Sequence, residues 1–93
     1  MITALEFINK VIWSPLEYGS DYRFSYINLG KEITVPFDYI YGTIDGWIEI
    51  KQFKNNGKYD IVLIPTHRIH KFIKDNKDDK SSKVPKGTVV WSR

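Results

Sequence analysis

The residues of this chain best suited to bind or transfer a charged group lie at positions 66–70, where Thr-His-Arg-Ile-His follows an aliphatic run and a proline. The aliphatic run, 61–64, has the composition of a strand interior. Pro65 has no backbone donor and holds the residue before it in extended geometry, so regular strand pairing should be interrupted there. His67 and Arg68 are then expected at a strand end, held by the sheet and directed at a partner outside it.

Several kinds of chemistry are compatible with this group. An Arg fork can bind a phosphate bidentately, and a His can donate a further hydrogen bond. His67 and His70 could instead act as acid and base on one scissile bond. Their spacing also suits a metal on a helix, but the chain has no Cys and no acidic residue beside them, so a metal site is disfavoured. The alternative is that these side chains have no binding role and only keep the strand end hydrated.

The charge of the chain is unevenly distributed. Residues 1–50 contain seven acidic and three basic side chains, a net charge of −4, whereas residues 51–93 contain four acidic and eleven basic side chains, a net charge of +7. The basic half includes His67 and Arg68. This polarity indicates an anionic partner, and a nucleic acid fits best because phosphate contacts favour clustered Lys and Arg. The alternative is that most of these lysines only keep a loop solvated.

Length and composition predict one globular domain, residues 1–93. Hydrophobic residues at 42% and aromatic residues at 15% exclude a disordered chain, and no apolar run approaches the ~20 residues of a membrane span. No secretion signal is recognisable and there is no Cys, so a cytoplasmic location is expected. No nucleotide-binding Gly-rich loop, nucleophile elbow or metal motif is present, and no cofactor is expected.

The N-terminal segment predicts a helix. Thr3 and Glu6 have the spacing of a capping box, in which each side chain accepts a hydrogen bond from the other residue's backbone amide. Pro15 stops the helix before it, so the helix should run from about Ala4 to Ile12. Helical spacing predicts an apolar face of Leu5, Ile8 and Ile12, backed by Val11, packed on strand residues such as Ile50, Ile61 and Leu63.

Two alternating segments predict a first hairpin. Residues 22–29 alternate aromatic with other side chains, and after the turn residues 28–31 a second alternating run continues to Phe37. Pro36 cannot donate to a ladder, which places this second strand at a sheet edge or ends it there. The Tyr-rich segment 38–42 is expected to be a turn or a short extended piece. No internal repeat is evident.

An Asn-Gly pair at 56–57 between alternating runs predicts a second hairpin. Its strands should be about Trp47–Phe53 and Tyr59–Ile64. A two-residue loop would pair Ile50 with Leu63, whereas a three-residue loop would shift that register.

The C-terminal part is predicted as a mobile polar loop, residues 74–86, followed by a short strand. Residues 74–83 contain no apolar side chain. Residues 88–91 read as a strand that pairs back on 70–73. The predicted fold is therefore α+β, with the helix on a mainly antiparallel, strongly twisted sheet of about five to six strands that can curl towards a barrel.

The chain resembles the RNA cyclic group end recognition domain, a small archaeal family formerly described as a domain of unknown function. The matching features run nearly end to end and are the N-terminal helix leading to Trp13-Ser14-Pro15, an aromatic strand with Tyr26, Val35-Pro36-Phe37, Ile64-Pro65-Thr66-His67-Arg68-Ile69 and Gly87-Thr88-Val89-Val90-Trp91-Ser92-Arg93. The Ile-Pro-x-His-Arg-Ile element with the closing Trp-x-Arg is the most specific part. Two features depart from the family: an Asn28-Leu29 pair replaces its usual Asp-Arg, and the turn before the last strand is longer.

The resemblance implies a module that binds RNA ends carrying a terminal or 2′,3′-cyclic phosphate in RNA repair or processing. A Trp or Tyr would stack the last base. If the last strand pairs with the segment after Pro65, it brings the C-terminus alongside His67. The candidate RNA- and phosphate-binding residues are His67, Arg68, Trp13, Tyr26, Trp91 and Arg93. RNA-processing proteins are candidate partners, and no membrane is expected.

Two other functions stay open at the level of sequence. One is an enzyme that acts on a cyclic or terminal phosphate with His67 and His70. The other is an adaptor that binds proteins through its aromatic strands, in which the His-Arg element is only structural.

Overall fold

The computed structural model describes residues 2–75 and 87–93. Its elements are helix α1 (Ala4–Trp13) and the strands β1 (Tyr22–Asn28), β2 (Lys31–Pro36), β3 (Ile40–Ile44), β4 (Trp47–Phe53), β5 (Tyr59–Pro65), β6 (Ile69–Asp75) and β7 (Gly87–Ser92). The strands form two antiparallel sheets, a first with the order β2-β1-β6-β7 and a second with the order β3-β4-β5. The α+β class is confirmed, whereas the prediction of one barrel-like sheet of five to six strands is wrong, because seven described strands divide between two sheets that do not close.

Two short 3-10 helices explain why one sheet cannot continue through the chain. Pro36 is followed by the first crossover, Phe37–Tyr39, which leads from β2 into β3. Pro65 is followed by the second crossover, Thr66–Arg68, which leads from β5 back into β6. Each proline ends a strand because it cannot donate to the ladder, and the single helical turn redirects the chain into the other sheet. Both crossovers have the pattern aliphatic-Pro-three residues-Ile, a similarity too short to stand out as a repeat in the sequence.

The start of α1 is as predicted, but its buried face is not. The Thr3 and Glu6 capping box is present. The buried residues are Ala4, Phe7, Ile8 and Val11. Ile8 is fully buried as predicted, whereas Ile12 is 49% exposed. Predicted burial of Ile12 is therefore wrong.

Aromatic packing explains this rotation of the helix. The Phe7 ring stacks on Phe72 of β6 at a centroid distance of 4.4 Å and meets the edge of Tyr22 at 5.8 Å. Aromatic rings bury more apolar area than Leu or Ile and gain further from stacked and edge contacts. The helix therefore turns Phe7 into the core and leaves Leu5 only partly covered.

The hairpin of β4 and β5 uses the three-residue loop. The backbone amide of Lys54 donates to the Lys58 carbonyl at 2.7 Å, and Gly57 between them has a φ of +81°, the left-handed conformation that Gly adopts without strain. The register consequently pairs Ile50 with Val62. Ile50 is buried as expected, but Ile61 and Leu63 fall on the other face of β5 and are exposed, so the prediction that they cover the helix is wrong.

The last strand pairs with β6 as predicted, Phe72 lying opposite Trp91. Lys74 and Asp75, which were assigned to the mobile loop, belong to β6, where Asp75 forms a salt bridge with Arg23 at 2.9 Å. The remainder of the predicted loop, 76–86, lies outside the described residues. Within the part of the chain that the structure describes, no helix has the length and apolar character needed to cross a membrane.

Candidate functional site

The second crossover, Thr66–Arg68, displays His67 and Arg68 and is fixed from two sides. The backbone amide and the hydroxyl of Thr66 both donate to the carbonyl of Gly46, in the turn between β3 and β4, at 3.0 and 2.9 Å. The Arg93 guanidinium donates through Nη2 to the Thr66 carbonyl at 3.1 Å and through Nε to the Ile69 carbonyl at 3.0 Å. The hydrogen bonds to Gly46 connect the crossover to the second sheet, and the hydrogen bonds from Arg93 connect it to the C-terminus.

Arg93 is itself held in place by Trp91. The guanidinium carbon of Arg93 lies 5.7 Å from the centre of the Trp91 ring. The indole is only 9% exposed, meets the edge of the Phe72 ring at 5.5 Å, and donates through Nε1 to the carbonyl of Ile2 at 2.8 Å. A continuous series of contacts therefore runs from the core through Trp91 and Arg93 to the residues that carry His67.

A cavity of about 380 Å³ opens beside this crossover. It lies between the β1–β2 turn, contributing 27–29, and the segment 67–70, with Arg93 completing its wall. We call it the cationic pocket, because two Arg and two His side chains line it and, among the described residues, no Asp or Glu does. A concave surface with several donors and no competing carboxylate favours an anion.

The positive charge at the cationic pocket is largely uncompensated. Among the described residues, no carboxylate pairs with Arg68 and no hydrogen bond engages the side chain of His67. Four other cations among the described residues form ion pairs, which are Arg23 with Asp75, Lys54 with Asp60, Lys71 with Glu32 and Lys74 with Glu17. The hydrogen bond from Lys71 lowers the pKa of Glu32, and the charge of nearby His70 lowers this pKa further. Glu32 is thus paired with Lys71, and Arg68 has no ion pair or hydrogen bond among the described residues.

A second cavity of about 510 Å³ adjoins the first and is lined by residues of both sheets. We call it the intersheet groove. The first sheet contributes Tyr26, Ile33 and Val35, the second sheet contributes residues 50–53 and 62–64, and the first crossover contributes Tyr39. Arg68 and Asn28 line both cavities. No acidic residue lines the groove, and burial raises the pKa of Tyr26, so its phenol stays a neutral hydrogen-bonding group at neutral pH.

The six predicted site residues fall into three places. His67, Arg68 and Arg93 meet at the cationic pocket. Tyr26 lines the intersheet groove. Trp91 packs in the core beside Arg93, and Trp13 lies at the end of α1, where its ring is 80% exposed and lines neither cavity.

Several residues of the two cavities were not among the predicted ones. Asn28 and Leu29 form the hairpin tip that walls the cationic pocket, and Leu29 holds a left-handed φ of 51°. The signal at this position was the departure from the family pattern. For Tyr39, Gln52 and Phe53 there was no signal, because alternation along a strand reveals its two faces but not the sheet that lies opposite.

Comparison with known proteins agrees with the pattern at the crossover and the C-terminus. The model of the MJ1316 RNA cyclic group end recognition domain matches residues 1–93. The chain belongs to this family. Its name describes recognition of RNA ends that carry a cyclic group, and the match extends over the whole chain. Searches of the curated proteins and of the solved structures found no match.

Proposed function

We propose that this protein is a binding module for RNA ends and that the cationic pocket holds their terminal or 2′,3′-cyclic phosphate during RNA repair or processing. The observation that carries the proposal is the convergence of Arg68, Arg93, His67 and His70 on one cavity without an acidic lining residue. RNA is commonly recognised at ends and unstacked bases, because the grooves of its duplex give side chains little access.

The two arginines have different parts in this proposal. Arg93 already uses Nε and Nη2 for the carbonyls of Ile69 and Thr66, so it mainly positions the crossover and adds charge. No hydrogen bond or ion pair among the described residues engages Arg68, so its planar fork is available. A cyclic phosphate presents two non-bridging oxygens that such a fork can bind in parallel, and His67 or His70 can donate a further hydrogen bond.

Binding fits the geometry better than catalysis does. A histidine that acts as a general acid or base is normally oriented by a hydrogen bond to its second ring nitrogen. Within the described residues, neither His67 nor His70 has such a side-chain partner. The two imidazoles therefore suit ligand contacts, because a side chain whose orientation is not fixed can still donate a hydrogen bond to a ligand.

The test compares three RNAs that differ only in a 3′-hydroxyl, 3′-phosphate or 2′,3′-cyclic phosphate end, titrated by fluorescence anisotropy. Wild type should prefer the phosphate-bearing ends. Arg68→Lys keeps the charge but loses the planar fork. It should therefore weaken binding of the two phosphate-bearing ends by about 1–3 kcal/mol and leave the affinity for the hydroxyl end nearly unchanged. Lys58→Ala removes a cation that lines neither cavity and serves as the matched control.

Equal affinity of wild type for all three ends would contradict the proposal. So would an Arg68→Ala variant that keeps the preference for phosphate ends. Recovery of the cyclic-phosphate RNA intact after long incubation supports a binding module, whereas its conversion to an open phosphate would establish the enzymatic alternative.

A further inference from the structure

The intersheet groove adjoins the cationic pocket. Arg68 of the second crossover and Asn28 at the end of β1 line both cavities. A phosphate held by Arg68 would therefore lie at the mouth of the groove. Whatever is covalently attached to that phosphate must leave the pocket through the groove or into solvent.

The groove has the side chains of a site for a flat, mostly apolar ring. Tyr26, Tyr39 and Phe53 line it, and the Tyr39 and Phe53 rings lie close together, with 5.0 Å between their centroids. Its aliphatic wall includes Val35 and Val62, which also pack against the core. Such a mainly apolar cavity with aromatic walls and few polar groups is typical of small-ligand sites.

The polar groups of the groove suit a nucleobase. Asn28 and Gln52 carry amides that can donate to and accept from a base edge, and Lys51 adds a cation. Among the described residues, no carboxylate lines the groove to repel the attached phosphate. Aromatic side chains of RNA-binding modules commonly stack unpaired bases in this setting.

We infer that the intersheet groove binds the terminal nucleoside of the RNA, stacking its base on the groove's aromatic side chains while the cationic pocket holds the phosphate. This inference rests on the proposed function, and it adds that the end is recognised as a whole nucleotide. Because every base has a face that can stack, the groove should accept all four bases with modest differences. A phosphate attached to a sugar without a base should bind more weakly.

The experiment uses the full chain and two RNAs with the same 2′,3′-cyclic phosphate end, one with an ordinary terminal nucleotide and one with hydrogen in place of its base. Wild type should bind the baseless end about tenfold more weakly. Phe53→Ala, at a position 48% exposed, should bind the ordinary end more weakly and should lose most of the difference between the two RNAs. Tyr59→Ala removes the ring next to Phe53, 5.5 Å away, which does not line the groove, and should keep the tenfold difference.

The outcomes separate this inference from the proposed function. If wild type prefers cyclic phosphate over hydroxyl ends but binds the two cyclic RNAs equally, the groove does not hold the base and the proposed function stands. If wild type shows no preference for the cyclic end, the proposed function fails and the inference fails with it. Equal weakening of both RNAs by Phe53→Ala would also overturn the inference. Should circular dichroism show Phe53→Ala unfolded, Tyr26→Leu, which keeps an apolar side chain but removes the ring, decides by the same comparison.

Discussion

Replacing Arg93 by Lys should separate the support of the proposed RNA-end site from its ligand contact. The guanidinium donates to the carbonyls of Ile69 and Thr66 and lies over the Trp91 ring, 5.7 Å from its centre. A Lys ammonium is a point charge that cannot reproduce the planar pair of bonds. We therefore expect Arg93→Lys to loosen the second crossover although the charge is kept.

The magnitude follows from the bonds that are lost. A hydrogen bond from a charged group contributes about 1.5–3 kcal/mol when well formed, and the bond from Nη2 is exposed, so the lower end applies. A Lys recovers part of one bond, which leaves a net loss of about 1–2 kcal/mol in the free energy of unfolding. For a domain of this size, that corresponds to a fall in Tm of about 4–16 °C.

The assay is thermal unfolding by circular dichroism together with titration of a cyclic-phosphate RNA, and Arg68→Lys is the matched control. Arg93→Lys should lower both Tm and affinity. Arg68→Lys should lower affinity alone, because the structure gives Arg68 no hydrogen bond or ion pair among the described residues. An unchanged Tm for Arg93→Lys would refute the positioning role, and a clearly lowered Tm for Arg68→Lys would show that Arg68 is a structural residue.

Two further substitutions test the surrounding electrostatics and the helix. Glu32→Gln removes the acid beside His70, so RNA affinity should rise about two- to fivefold at low salt and the gain should fade at high salt; a loss of affinity would count against the cationic pocket. Thr3→Ala should lower the free energy of unfolding by about 1 kcal/mol in denaturant titrations, because the Thr3 hydroxyl accepts from the Glu6 amide at 3.1 Å. Hydrogen bonds from Thr3, first of all from its backbone amide, lower the pKa of Glu6, so the bond that the Glu6 carboxylate accepts stabilises the helix at neutral pH and is lost as the pH falls through that lowered pKa. A Thr3→Ala variant with unchanged unfolding at neutral pH would contradict it.

Local interactions were readable from the sequence because they depend on residues close together in the chain. The capping box fixed the start of α1, since both of its hydrogen bonds join Thr3 to Glu6. Alternation predicted β4 and β5 to within a residue, and the Asn-Gly pair located their turn. The family resemblance, which rested on short motifs at 64–69 and the C-terminus, is confirmed.

The buried face of the helix and the division into two sheets were decided by tertiary structure. Helical spacing alone does not tell whether Leu5 or Phe7 is turned into the core. Phe7 is buried because it stacks on Phe72, a residue 65 positions further along the chain. Likewise, Pro36 and Pro65 were readable as strand ends, but a strand end does not tell whether the chain re-enters the same sheet.

The candidate site shows the same division between the two sources of information. The sequence by itself determined that His67 and Arg68 follow a strand-ending proline and that the last strand returns towards them. Only the tertiary structure shows that the Arg93 guanidinium donates to the carbonyls of Thr66 and Ile69, with the buried Trp91 beside it. It also shows that Asn28 and Phe53 line the adjoining cavities. The physical reason is that a side chain's chemistry is local, whereas its availability for a ligand depends on which distant carbonyls, rings and charges have already engaged it.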